Sequence, residues 1–214
     1  CGNMSSAMGP FAVDESLVEA RGDAALVRIH NTNTGKIIHA KFALDDGQAA
    51  IDGAQAMPGV AGTGAPVRLE FMAPGGAGTG RLLPTGNAAD MLEVAGHGPI
   101  EASLVDAANP CVFVAASDLG LSGTEMPADL DAREDVMAWL QAIRRAAAQA
   151  MGLPELPNIP FVGIVAPPRD ATLLSGAPVR ASDGDLTGRM VSMGNIHRAL
   201  PLTGTLCMTV AARI

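Results

Sequence analysis

The residues best suited to chemistry sit near the two ends of the chain. Cys1 is followed by Gly2 and Asn3, then by Ser5 and Ser6, in the stretch CGNMSSAMGPF. Such a pattern is expected of a thiol at the first turn of a helix. There the positive end of the helix dipole and the unsatisfied N–H groups both favour the thiolate, which can abstract a carbon-bound proton. Gly2 and Asn3 let a ligand approach the backbone closely and offer N–H groups to a carboxylate. Ser5 and Ser6 can bind that carboxylate, cap the helix, or do both. A carboxylate held beside the carbon that loses its proton would take up the developing negative charge. The same residues are also compatible with an ordinary stretch of loop and helix.

Towards the other end, His197 and Arg198 precede LPLTGTLC. Arginine is the natural fork for a carboxylate; the plainer alternative is a surface Arg beside a packed His. Asn31, Asn33 and Thr34 have the chemistry of a hairpin turn, with lining of a site as the alternative. Cys111 and Cys207 read as small core residues. His30, His39 and His97 have no carboxylate or Cys at ligand spacing, so no metal site is expected. The GGAGTG stretch lacks a following Lys-Ser/Thr and a helix pattern, and turn chemistry accounts for it better than a phosphate loop does. Asp90, Glu93 and Glu101 read as solvated strand-edge charges.

Composition limits what these residues could serve. The 214 residues are 48% hydrophobic and 17% charged, with 25 Gly and 15 Pro. This suits a folded chain with many turns and short strands. A net charge of −8, one Trp, five Phe and no Tyr argue against a nucleic-acid groove and against anionic membranes. An anionic ligand would therefore need a local positive field, from helix N-termini and a few cationic side chains. No apolar run approaches the roughly 20 residues of a membrane span. Three widely spaced Cys do not make a disulfide framework and point to a reducing, cytoplasmic setting.

The elements that must position these groups follow from periodicity. Residues 1 to 18 read as a helix with Met4, Ala7, Met8, Phe11 and Ala12 on one side, kinked or restarted near Gly9-Pro10 and stopped by Gly22. Leu26 to His30 and Lys36 to Leu44 form the arms of a hairpin, turned at Asn33-Thr34-Gly35. The Gly/Ala-rich stretch from Asp52 to Pro66 is the expected domain boundary. Strands are expected at Val67 to Met72, at Arg81 to Leu83, and as two arms joined at Asn109-Pro110, the second fully apolar from Cys111 to Ala116. Asp131, with Glu134 three residues on, predicts a capped helix whose buried face is Val136, Leu140, Ile143, Ala147 and Met151. Further strands are expected in IPFVGIVAPP and GRMVSMGNIHRA, and a closing helix in PLTGTLCMTVAARI.

Five blocks, CGNMSSAMGPFA, RIHNTNTGK, Pro74 to Asn87, Asn109 to Glu125 and SMGNIHRALPLTG, resemble in collinear order the PrpF-like isomerases, relatives of diaminopimelate epimerase. The resemblance implies an α+β fold of two pseudo-equivalent domains. Each would be a curled antiparallel sheet or barrel around a central helix, with the active site in a cleft between two helix entrances. On that basis residues 1–64 are the C-terminal part of a first, incomplete domain and residues 65–214 a second, truncated one. The chain is then a fragment, expected to be inactive alone.

The implied activity is a cofactor-independent isomerase or tautomerase that moves a proton and double bond in an unsaturated tricarboxylate. Cys1 would be the catalytic residue. Gly2, Asn3, Ser5, Asn33, His197, Arg198, Thr203, Gly204 and Thr205 would bind substrate. Thr203 stands where the epimerase branch has a second catalytic Cys, a departure that disfavours two-thiol epimerisation. The family also implies a Lys partner upstream of the Cys motif, whereas Lys36 and Lys41, the two Lys present, lie downstream. Two alternatives remain: an amino-acid epimerase or racemase, and a non-catalytic accessory module for a dehydratase. The expected partners are a small di- or tricarboxylate and a second copy of the chain.

Overall fold

Strict alternation of apolar residues builds the first sheet. In the computed structural model, which describes residues 2–57 and 60–214 apart from the side chains of residues 2 and 3, β1 (Ala24–Asn31) and β2 (Lys36–Asp45) pair antiparallel from Ala24↔Ala43 to Asn31↔Lys36. Ala25, Val27 and Ile29 face inward with Ile38, Ala40 and Phe42. The turn forms because Asn31 accepts three times, at Oδ1 from the Asn33 N–H (3.0 Å) and at its carbonyl from the Gly35 N–H (2.8 Å) and the Thr34 N–H (3.3 Å). Gly35 takes a φ of +65°, which suits glycine. The short β3 (Gln48–Ala49) prolongs the β2 edge, and β4 (Gln55–Ala56) pairs with β5 (Thr63–Gly64). Next, β6 (Arg68–Phe71) joins β2 from Ile38↔Phe71 to Lys41↔Arg68.

Helix α1 (Gly2–Asp14) lies on the apolar face of this sheet and departs from expectation in two ways. It runs through Pro10 without restarting and ends at Asp14, well before Gly22. Its buried residues are Ser5, Gly9 and Val13, whereas Met4, Met8 and Phe11 are exposed. The cause is close approach. A Cβ on Gly9 would sit 2.8 Å from Ala40 Cβ and 2.9 Å from Phe42 Cε1, so only small residues fit between helix and sheet. The Asp14 carboxylate then accepts the Ala49 N–H at 2.7 Å and ties the helix end to β3.

The chain divides into the units Cys1–Pro74 and Gly75–Ile214. Strand β6 is held by β2 and lies in the first unit.

The second unit is one six-stranded sheet between two helices. Strands β7 (Asp90–Val94), β8 (Gly98–Ala107), β9 (Asn109–Ala115), β10 (Phe161–Ala166), β13 (Thr187–Ser192) and β14 (Asn195–Ile196) lie in the order β14-β13-β10-β9-β8-β7, while β11 (Ala171–Thr172) and β12 (Pro178–Val179) pair apart. The β9–β10 pair is parallel, which corrects the wholly antiparallel expectation. Parallel neighbours need a long crossover, and this one carries α2 (Pro127–Asp131) and α3 (Glu134–Ala150). Among the described residues the sheet stays open and does not close into a barrel.

Every second residue of β9 serves a different helix. Val112 and Val114 join Leu140, Ile143 and Ala147 of α3, while Cys111 and Phe113 join Cys207 and Met208 of α4 (Leu202–Ala211). This two-sided burial explains the unbroken apolar run. Asp131 closes α2 instead of capping α3, whose N-cap residue is Arg133. Residues 81–83 form bends where a strand was expected, pinned by the Asp106 N–H donating to the Leu82 carbonyl at 2.9 Å. Among the described residues no helix is long and apolar enough to cross a membrane.

Candidate active site at the entrance of α4

The β14 strand and the link behind it deliver five of the expected site residues to the start of α4. Pro201 is the N-cap and provides no side-chain cap. The N–H groups of Leu202, Thr203 and Gly204, in the first turn, have no intrahelical acceptor and point out of the helix start. Their direction and the helix dipole suit an anion. Thr203 is half-buried, and among the described residues its hydroxyl makes no hydrogen bond. The Thr205 N–H and hydroxyl both donate to the Pro201 carbonyl, at 2.8 and 3.0 Å. That hydroxyl proton is therefore committed to closing the first turn. Gly204 is buried, and a Cβ there would meet Met190 Sδ at 2.8 Å and Pro201 Cγ at 2.9 Å. Packing demands glycine at this position.

His197 and Arg198 are held by different means. The His197 N–H donates to the Met190 carbonyl (2.8 Å), and its Nδ1 accepts from the Ala199 N–H (3.2 Å). In the neutral ring the proton is therefore on Nε2, which is left as a donor. The Arg198 Nη2 lies 3.2 Å from Asp131 Oδ2, and the other oxygen of Asp131 accepts the Ile196 N–H at 2.8 Å. Asp131 is thus a member of this neighbourhood that the sequence reading assigned elsewhere. Glu134 three residues on made it look like a helix cap, whereas its partners are Ile196 in β14 and Arg198 just beyond that strand.

The remaining expected residues are in the first unit. Cys1 lies outside the described residues, as does the side chain of Asn3. Ser5 is buried on the sheet-facing side of α1. Asn33 is exposed in the β1–β2 turn, where its N–H serves Asn31.

The other reactive residue types have structural roles. Cys207 Sγ donates to the Val105 carbonyl at 3.3 Å, and burial, with Cys207 beside it, pushes the Cys111 thiol well above its ordinary range. Neither thiol is a nucleophile in this setting. The glycine-rich loop wraps a carboxylate instead of a phosphate. Asp106 Oδ2 accepts from the Gly78 N–H (2.8 Å), the Thr79 N–H (2.7 Å) and the Thr79 hydroxyl (2.8 Å). Among the described residues no cluster of three or more His, Cys, Asp or Glu side chains could hold a metal.

Comparison with known proteins adds to this geometry. The 3-methylitaconate isomerase of Eubacterium barkeri is 40% identical over 223 residues, a match covering 100% of this chain and 58% of that protein. The 2-methyl-aconitate isomerase of Shewanella oneidensis is 36% identical over 228 residues, covering 100% of this chain and 57% of that protein. The chain thus spans just over half the length of the curated relatives it matches. A crystal structure of methylitaconate-delta-isomerase superposes with a TM-score of 0.88 at 39% identity, over 100% of this chain and 57% of the other. A hydroxyproline epimerase from Agrobacterium vitis shares the fold alone, with a TM-score of 0.52 at 15% identity over 98% of this chain and 51% of the other. The family described as PrpF protein matches residues 1–214. With the relatives aligned over its whole length and the α4 entrance built as described, the chain belongs to the PrpF family.

Proposed function

We propose that the protein is an isomerase of small unsaturated polycarboxylic acids, moving a double bond by proton transfer without a cofactor. The observation that carries this reading is the whole-chain match to relatives named as isomerases of 3-methylitaconate and 2-methyl-aconitate. The first turn of α4 supports it, since outward-pointing N–H groups beside an arginine and a histidine suit a carboxylate.

In the proposed reaction a substrate carboxylate accepts hydrogen bonds from the N–H groups of Leu202, Thr203 and Gly204, with Nε2–H of His197 and the Arg198 guanidinium close by. The Cys1 thiolate takes a proton from the allylic carbon. The released electron pair shifts the double bond by one position, and the negative charge passes to the carboxylate. A proton then returns to the far carbon of the former double bond, so atoms and electrons balance with no redox partner. Fixed donors aimed at the charge that develops are the most effective form of such stabilisation. Cytoplasmic location and homodimer formation belong to the same proposal.

Exchange with solvent tests it. In deuterium oxide the intact protein should wash deuterium into 2-methylaconitate or 3-methylitaconate, followed by proton NMR, and Cys1→Ala should abolish the exchange. Absence of exchange with either acid, despite saturable binding, would favour the accessory-module reading. Undiminished exchange in Cys1→Ala would remove Cys1 from the mechanism.

A further inference from the structure

The outer face of the first sheet concentrates positive charge in a chain whose net charge is −8. Residues that alternate with the buried set point away from α1, and the strand registers place them in rows. Leu26, Lys41 and Arg68 form one row; Arg28, His39 and Glu70 form the next; His30 and Ile37 form a third, closed by Met72, whose N–H donates to the Ile37 carbonyl at 2.9 Å. Neighbouring strands are about 4.8 Å apart, so members of a row are in reach of one another.

Within these rows the acid is Glu70, and it is already committed. The Glu70 carboxylate lies 2.8 Å from Lys41 Nζ, 3.2 Å from Arg68 Nε and 3.9 Å from His39 Nδ1. The Lys41 hydrogen bond, with Arg68 and His39 nearby, holds its carboxyl below the usual glutamate range, so it stays charged and neutralised. Arg28, exposed and directly across from His39, has no acid partner among the described residues. An open groove of about 540 Å³ runs beside it, lined by Arg28, Ile37, His39 and Met72. One half of the groove carries the Arg28 guanidinium and the His39 imidazole, and the other half is aliphatic. Its volume falls in the range of about 300–1,000 Å³ typical of small-molecule sites.

We infer that this groove of the first unit is a further anion site, which takes a small organic acid with one carboxylate on Arg28 and His39 and an alkyl or alkenyl flank on Ile37 and Met72. The planar guanidinium supplies a two-pronged contact. The aliphatic half distinguishes such an acid from a bare inorganic anion, which gains from the charge alone.

The test is an NMR titration of the intact protein with 2-methylsuccinate and, separately, with inorganic phosphate. The expected result is saturable shifts of the Arg28, His39 and Met72 amide signals with 2-methylsuccinate, and binding of phosphate about tenfold weaker. Arg28→Gln should weaken 2-methylsuccinate about tenfold, the loss of one charged two-pronged contact. Arg68→Gln, on the same face but outside the groove, should change it less than about twofold. Met72→Gln should weaken 2-methylsuccinate and leave phosphate unchanged. Absence of saturable shifts at these residues would overturn the site. Equal weakening by Arg28→Gln and Arg68→Gln would overturn it too, since only diffuse charge attraction would then be at work. Phosphate binding as tightly as 2-methylsuccinate would refute the aliphatic half.

Discussion

Removal of the Asp131 carboxylate should separate two contributions that hold the lead into α4. One oxygen of Asp131 accepts the Ile196 N–H at 2.8 Å, and the other lies 3.2 Å from Arg198 Nη2. Ile196 is 2% exposed, so in Asp131→Ala its N–H loses an acceptor that water cannot easily replace, at a cost of about 1–3 kcal/mol. The Arg198 side chain is 60% exposed, and its attraction to Asp131 is screened to about 0–1 kcal/mol. Asp131→Asn keeps a carbonyl for Ile196 and loses only the charge. Asp131→Ala should therefore destabilise by about 1–4 kcal/mol and Asp131→Asn by less than about 1 kcal/mol, the gap between them being the roughly 1–3 kcal/mol of the Ile196 N–H. Urea unfolding of the intact protein would show this as a lower midpoint at unchanged slope. Added salt should shrink the small loss in Asp131→Asn and leave the gap between the two variants intact. Equal losses in the two variants would refute the reasoning, because the Arg198 pair and not the Ile196 N–H would then carry the tether.

Three further outcomes follow from the same coordinates. A Cβ at Gly163 would lie 2.4 Å from Phe113 Cδ1 in the neighbouring strand, so Gly163→Ala should cost about 1–3 kcal/mol by overpacking, read as a lowered unfolding midpoint. Cys111 and Cys207 are fully buried, so alkylation in the native protein should spare both, and unfolding should expose them; rapid native labelling of either would contradict the packing. Burial alone would raise the Glu125 carboxyl, but the N–H groups of Ser122 and Gly123 and the Ser122 hydroxyl outweigh it and hold the group below its ordinary value of 4.5. A depressed carboxyl stabilises the fold above its unfolded value, and that contribution is lost as pH falls through the folded one. Acid unfolding of Glu125→Gln should therefore be less steep below about pH 4.5 than that of the parent.

Local pattern made much of this fold legible. Period-two alternation identified the β1–β2 hairpin, and the NTNTG stretch identified its turn, because both depend on residues adjacent in sequence or directly across a two-stranded ribbon. The buried face of α3 was legible for the same reason: Val136, Leu140, Ile143 and Ala147 repeat on one side of a single helix. The face of α1 was not. Its large residues Met4, Met8 and Phe11 formed the stronger apolar stripe, but the sheet approaches at Gly9 too closely to admit them. Hydrophobicity measures the tendency to be buried; it does not measure the space available. The parallel β9–β10 pairing likewise depends on where a chain returns after its crossover, which neither strand encodes alone.

The site divides along the same line. The motif SMGNIHRALPLTG pointed to the α4 entrance, since a small-residue helix start after a His-Arg pair is readable in one dimension. Whether each residue is available there is a matter of long-range partners. Thr205 gives its hydroxyl proton to Pro201, Gly204 is required by Met190, and Arg198 leans on an aspartate 67 positions earlier in the chain. In the proposed site the groups left to meet a ligand are mainly backbone: the N–H groups at Leu202, Thr203 and Gly204, with Thr203 and His197 as flanking side chains. Such a site would tolerate side-chain change as long as the helix start is kept, so on the proposed reading Thr203 could stand at the position where the epimerase resemblance would put a thiol. On this view Thr203→Ala, which preserves those N–H groups, should reduce proposed isomerisation less than Gly204→Val, which forces a branched side chain against Met190 and Pro201 and displaces the first turn. Steady-state kinetics with 3-methylitaconate would compare them, and a larger loss in Thr203→Ala would show that the hydroxyl, and not the backbone, holds the substrate.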